Sequence, residues 1–186
     1  MRWYWIDRFT EFVSGEYATS IKNVSLGEVH LHENFYSHPV MPNSLVVEGM
    51  AQTGGLLLGE ASEYQSKLVL AKVSKVRFYF PARPGDTLTY TSRILNQSPE
   101  GALLSGTSHV GDRLQAEAEF YLAALGDRFK AQQLFSTPDF VRLLRLLRIY
   151  EVGKTADGEK LQLPEPMRLA ELQAAAKGDV LAALAE

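Results

Sequence analysis

Three of the four histidines in this chain, His30, His32 and His38, lie within 18 residues of Glu48. That stretch is where acid–base chemistry could be assembled. Imidazole titrates near neutral pH, which suits a general base. Glu48 falls within an apolar run from Leu45 to Gly59. Desolvation there favours the neutral carboxyl, the form that a general acid needs. Asn34, between His32 and His38, has an amide that can donate a hydrogen bond but cannot act as a base near neutral pH. Each residue also has a plainer reading. His32 and His38 fit an exposed loop, Asn34 can cap or turn that loop, and His30 and His109 sit in strand-like patterns. The histidines do not argue for zinc, because the chain has no cysteine and Glu48 is placed on a helix expected to be buried. No metal and no cofactor are expected.

The elements that must position these groups follow from the pattern around them. Leu45, Val46, Val47, Met50, Ala51, Leu56, Leu57 and Leu58 cover every side of a helix, which is the mark of a buried one. Asn43 or Ser44 is expected to cap it. Gly49, Gly54 and Gly55 each weaken it by about 1 kcal/mol relative to alanine, a loss that close approach to a sheet would offset. Upstream, Trp3, Trp5, Phe9 and Phe12 share a face before Gly15 breaks the segment, and residues 17–31 read as extended. Downstream, residues 67–81 alternate and then slip phase near Ser74-Lys75, which predicts a bulge. Pro84-Gly85-Asp86 turns the chain. Strands follow over 87–94 and 102–110, with a turn from Asn96 to Gly101. After Gly111-Asp112, Leu114, Ala116, Ala118, Phe120 and Leu122 alternate with polar residues, so one face meets a core and the other meets water. The reading is an α+β domain with a curved antiparallel sheet and one buried helix.

The C-terminal third differs in character. Thr137-Pro138-Asp139 is a good helix start, and Phe140–Tyr150 continues it with Arg142, Arg145 and Arg148 in a stripe. That stripe is expected to be a solvated face, the other reading being a docking surface for an acidic carrier protein. Residues 151–166 are turn-rich, and 167–186 form an alanine-rich helical tail.

One segment is specific enough to carry a resemblance. It runs His32-Glu33-Asn34-Phe35-Tyr36-Ser37-His38-Pro39-Val40-Met41-Pro42-Asn43-Ser44-Leu45-Val46-Val47-Glu48-Gly49-Met50-Ala51-Gln52. It resembles the motif of the FabZ-type 3-hydroxyacyl-(acyl-carrier-protein) dehydratases, where a His-Phe-Pro-Gly-x-Pro loop leads through Met-Pro into a helix reading Glu-(Ala/Gly)-Met-Ala-Gln. From Pro39 to Gln52 the spacing matches, and Val69–Lys72 and Phe78–Asp86 are similar to later family strands. The resemblance implies a hotdog fold over residues 1–125, with 126–186 as a C-terminal helical extension. It implies a site shared by two subunits, in which a histidine removes a proton from C2 of a (3R)-3-hydroxyacyl thioester and a glutamate helps expel the 3-hydroxyl as water. Glu48 matches that glutamate. Asn34 stands at the histidine position, and Tyr36 and Ser37 replace the loop's proline and glycine. His38 or His32 is then the candidate for a relocated base. Phe35, Met41, Pro42, Gln52 and His32 are the implied substrate contacts.

The implied partners are an acyl carrier protein bearing an acyl chain and a second copy of the chain, as a homodimer or larger assembly. Two other functions remain open: a non-catalytic relative that binds acyl chains or carrier protein or pairs with an active paralogue, and a hotdog thioesterase. The formal net charge of -3 gives no basic footprint for nucleic acid. No stretch approaches the roughly 20 apolar residues of a membrane span, and no signal peptide is evident. A cytoplasmic protein is expected.

Overall fold

Among the described residues, seven strands form one sheet in the order β3-β6-β5-β4-β2-β1-β7, and it curves around a long helix. The computed structural model describes residues 4–33, 38–125 and 136–176, at residues 32 and 33 the backbone alone. β1 (Arg8–Val13) and β2 (Tyr17–Asn23) make a hairpin whose turn needs Gly15 in the left-handed region, at φ 74°. β1 carries Phe9 and Phe12 into the core beside Trp5. β3 (Leu68–Phe78), β4 (Thr87–Ser98), β5 (Gly101–Val110) and β6 (Arg113–Ala124) complete the antiparallel part. The expected slip in β3 is present between Val73 and Lys75, and a second falls between Leu70 and Lys72. The alternation of β6 holds with one exception. Gln115 is fully buried, and its amide donates to the Phe80 carbonyl at 2.9 Å.

Several local expectations are corrected. Residues 29–33 are not extended but form a short helix, α1 (Val29–Glu33), so His30 is helical. A turn enters it: the Leu31 N–H donates to the Glu28 carbonyl at 3.1 Å, and the Glu28 carboxylate accepts from the Ser25 N–H and from Lys22 Nζ. These local bonds outcompete a strand ladder. The turn between β4 and β5 is tighter than the reading from Asn96 to Gly101, because β4 runs on to Ser98 through an irregularity between Ile94 and Asn96. Helix α2 (Asn43–Glu60) starts on Pro42, not Asn43 or Ser44. Pro42 is extended, makes no side-chain cap, and its carbonyl accepts from the Leu45 N–H at 2.9 Å.

The sheet grips α2 through small residues and hydroxyls. A Cβ placed on Gly49 would lie 2.2 Å from the Tyr90 ring, and one on Gly54 would lie 2.7 Å from Leu104. Ser92 Oγ donates to the Met50 carbonyl at 2.7 Å. Thr53 Oγ1 donates to the Gly49 carbonyl, so Ser20 Oγ supplies the proton in their 2.6 Å contact. The Ser20, Thr53 and Ser92 hydroxyls, all buried, therefore each have a partner, as burial requires.

The C-terminal part packs onto the same body. α3 (Thr137–Leu146) is capped by Ser136, one residue before the expected Thr137. The single helix expected over 140–150 breaks after α3, because Arg148 takes a left-handed φ of 60° before α4 (Ile149–Val152). That bend lets the Leu147 carbonyl accept from the Phe9 N–H at 2.9 Å and buries Ile149 completely. β7 (Gly153–Lys154) pairs with β1 in parallel. α5 (Glu165–Ala176) packs on α3; the tail beyond residue 176 lies outside the described residues. The arginine stripe is neutralised in place: Arg142 meets Asp139, Arg145 grips Glu171 through two bonds of 2.8 Å, and Arg148 faces Glu151.

Candidate active site

Helix α2 turns two different faces outward from its axis. Val46, Gly49, Met50, Thr53, Gly54 and Leu57 are buried against the sheet. Glu48, Ala51, Gln52, Gly55, Leu56 and Gly59 recur at intervals of three and four, so they share the other face. That second face lines a cavity of about 890 Å³. Glu48 and Gly59 are 11 positions apart, so the face runs roughly 16 Å along the helix.

Glu48 is half-buried at one end of this face. Its Oε1 accepts from Gln52 Nε2 at 2.7 Å, one helical turn on, and Gln52 Oε1 in turn accepts from the Trp5 backbone N–H at 2.9 Å. The carboxyl is thus held by a relay anchored in the N-terminal segment. Its second oxygen makes no hydrogen bond among the described residues, so it is available to a ligand in the cavity. Gln52, implied by the resemblance to be a substrate contact, lines the same cavity and also orients Glu48.

The other site expectations fall in different places. His38 is exposed and does not line the cavity. Met41 is buried in the core and Pro42 is half-buried at the start of α2. Asn34 and Phe35 lie outside the described residues, as does the side chain of His32. His30 stays with Glu28, 3.1 Å away, and rests 5.0 Å from the Trp5 ring. Among the described residues no three His, Asp or Glu side chains gather as metal ligands.

At the far end of the cavity the chain leaves α2 through Glu63 and Tyr64, both left-handed. The Tyr64 N–H donates to the Gly59 carbonyl at 2.7 Å and folds its ring back over Gly59. Burial, with Tyr150 and Glu60 nearby, pushes the Tyr64 hydroxyl far above the usual phenol range. Burial likewise pushes Tyr150 up to about 12. Both rings remain neutral, so the charge that lines this end comes from Glu63 and Lys67. Sequence reading did not place Gly55, Leu56 or Tyr64 in the site; it assigned Gly55, with Gly49 and Gly54, to close approach to the sheet, which holds at Gly49 and Gly54 but not at Gly55, where a Cβ would meet only Leu122 at 3.9 Å. The helical spacing from Glu48 carried a signal for the first two; Tyr64 carried none.

A sheet wrapped around one buried helix, with a carboxyl on the helix's free face, defines a hotdog-fold protein. The FabA-like domain model matches residues 3–119, more than half of the chain, and the chain belongs to that family. Relatives include 3-hydroxyacyl-[acyl-carrier-protein] dehydratases FabZ. The one from Campylobacter curvus is 35% identical over 121 residues, covering 61% of this chain and 82% of the relative. The one from Wolinella succinogenes is 37% identical over 121 residues, covering 61% and 80%. Among solved structures, an uncharacterised protein from Pyrococcus horikoshii superposes with a TM-score of 0.54 at 16% identity, covering 66% of this chain and 85% of its own. A hypothetical thioesterase protein with coenzyme A from Streptococcus pneumoniae gives 0.52 at 13%, covering 64% and 88%. At these identities the structural likenesses speak for the fold alone. Among the described residues, no helix is long and apolar enough to cross a membrane.

Proposed function

We propose that this chain is a (3R)-3-hydroxyacyl-(acyl-carrier-protein) dehydratase of fatty-acid-type synthesis, acting in the cytoplasm with a weakened site. Residues 1–125 form the catalytic domain and 126–186 an extension. The observation that carries this reading is Glu48, oriented by Gln52 and open to a largely apolar cavity, in a chain about 35% identical to FabZ dehydratases. Glu48 protonates the departing 3-hydroxyl, which leaves as water while a base takes the C2 proton. The thioester carbonyl, on which negative charge develops, is polarised by N–H groups at the start of α2.

The base comes from a second copy. β3 is an edge strand of 11 residues, exposed on both faces from Val69 to Arg77. An exposed edge of that length and apolarity is a template for pairing, and a homodimer joined there supports a shared site. His38, exposed in one chain, is then the candidate for a relocated base toward Glu48 of the other copy, which the His38→Ala arm below decides. Light scattering is expected to give a dimer or larger assembly at micromolar concentration; a 20.7 kDa monomer would overturn this.

Asn34 favours a second reading, a non-catalytic relative that binds acyl chains or carrier protein, because an amide cannot replace imidazole as base. Incubation with a 3-hydroxyacyl carrier substrate, followed by mass for the enoyl product, separates the two. Slow turnover that rises in Asn34→His supports the weakened dehydratase. Fast turnover abolished by His38→Ala shows a relocated base instead. Carrier binding with no turnover in any variant gives the lead to the binding role.

A further inference from the structure

The Trp5 peptide has no place in the sheet ladder, because β1 begins only at Arg8. Its N–H donates instead to Gln52 Oε1, across 47 residues of chain. A peptide N–H can only donate, whereas a carboxamide has one donating and one accepting end. The Trp5 N–H therefore fixes which way round the Gln52 amide sits: the oxygen turns to Trp5 and Nε2 turns to Glu48. Without it, either end of the amide could meet the carboxyl.

Trp5 is itself seated by its ring and is 5% exposed. The His30 ring lies 5.0 Å from it, tilted by 60°, and Lys22 Nζ stands 4.9 Å from its centroid. Glu28 holds both neighbours. Its Oε1 accepts from Lys22 Nζ at 2.7 Å, and its Oε2 lies 3.1 Å from His30 Nε2. His30 belongs to α1, which ends at Glu33, directly before Asn34 in the chain. The seat of Trp5 is thus built in part from the helix that leads to Asn34.

We propose that Trp5 and His30 are positioning residues for the acid, and that through Gln52 they decide which oxygen of Glu48 carries the proton. A donor aimed at Oε1 makes that atom the carbonyl oxygen of the neutral carboxyl. The proton then resides on the second oxygen, the one open to the cavity. It passes to the departing 3-hydroxyl as the C3–O bond breaks and water leaves. The base takes the C2 proton, the C2–H electron pair becomes the C2–C3 double bond, and Glu48 is left as a carboxylate that still accepts from Gln52. The proposal rests on the dehydratase reading for its chemistry, but the relay itself is read without turnover.

The test uses the full chain with isotope-labelled glutamine, the Gln52 side-chain signals in the magnetic resonance spectrum being identified by their loss in Gln52→Leu. His30→Ala, His30→Phe and a chain carrying the α-hydroxy acid of tryptophan at position 5 are compared with the parent. The last keeps the indole and exchanges only the peptide N–H for an ester oxygen, so it avoids the core cavity that Trp5→Ala would open. In the parent the Nε2 proton held by Glu48 is expected to be shifted from its geminal partner and slow to exchange with solvent. In the ester chain and in His30→Ala its exchange should quicken on the order of tenfold, the worth of one hydrogen bond to a charged group. Melting temperatures should stay close to the parent's. His30→Phe keeps a ring against Trp5 and is expected to stay near the parent. With a 3-hydroxyacyl carrier substrate, kcat should fall roughly 10–10²-fold in the ester chain and His30→Ala, as for a misplaced catalytic group, with KM little changed. Unchanged Gln52 signals in either of those two proteins would overturn the proposal. So would altered signals with kcat and KM both at the parent's values. Altered signals in proteins that all fail to dehydrate would leave the relay standing and defeat the catalytic reading.

Discussion

The two faces of α2 are built from similar residues under opposite demands. On the sheet face Gly49 and Gly54 lack side chains because Tyr90 and Leu104 occupy that space, and the Thr53 and Ser92 hydroxyls tie helix to strand. On the cavity face Gly55 lacks one though nothing of the protein presses on it, and Glu48 is held at one oxygen and free at the other. One face is packed against the sheet, the other borders a cavity. The difference shows that helix-weakening residues mark close packing in one direction and reserved space in the other.

The sharpest separation of the two faces is expected from Glu48→Gln. The amide keeps the shape and can still accept from Gln52, so the melting temperature should stay near the parent's. Dehydration should fall on the order of 10²–10⁴-fold with the loss of the acid. Near-parent rates in that variant would remove Glu48 from the chemistry and with it the functional meaning of the cavity face.

Gly49→Ala probes the sheet face. The new methyl enters the buried Tyr90 ring, and such overpacking costs about 1–3 kcal/mol, readable as a drop in the denaturant midpoint. A neutral result would show that the sheet yields easily and that the contrast between the glycines is overstated. The smallest effect belongs to Gly55→Ala, where the helix gains about 0.4–1 kcal/mol through lower unfolded-state entropy. Opposite signs for two glycine-to-alanine changes six residues apart on one helix would confirm the two-face description; the same sign for both would break it.

The broad architecture was legible in the sequence because hydrophobic period reports burial directly. The all-round apolar run from Leu45 to Gly59 became α2, and the phase slip near Ser74 became a real irregularity in β3. The Pro84-Gly85-Asp86 turn appeared with Gly85 at φ 95°. Less legible were features in which local bonds beat propensity, such as Val29–Glu33, where side chains around Glu28 favour a turn of helix over extension. The break at Arg148 was hidden for a similar reason: a left-handed non-glycine residue is held there by the docking of Leu147 on β1 and the burial of Ile149.

For the site, the sequence by itself determined which residue types were present and where the carboxyl sat on its helix. The motif from Pro39 to Gln52 marked Glu48, and the helical interval marked the residues that share its face. Only the tertiary structure decided what lay opposite. A period of three and four says that Ala51, Gly55 and Gly59 look the same way as Glu48, but not whether they meet protein, water or a cavity. That was set in part by α3 and α5, which lie far along the chain and line the same cavity, with the Phe9–Leu147 bond and the Arg145–Glu171 pair fastening the C-terminal part. Local sequence fixes direction along an element; the space that the direction points into depends on contacts between residues about a hundred positions apart.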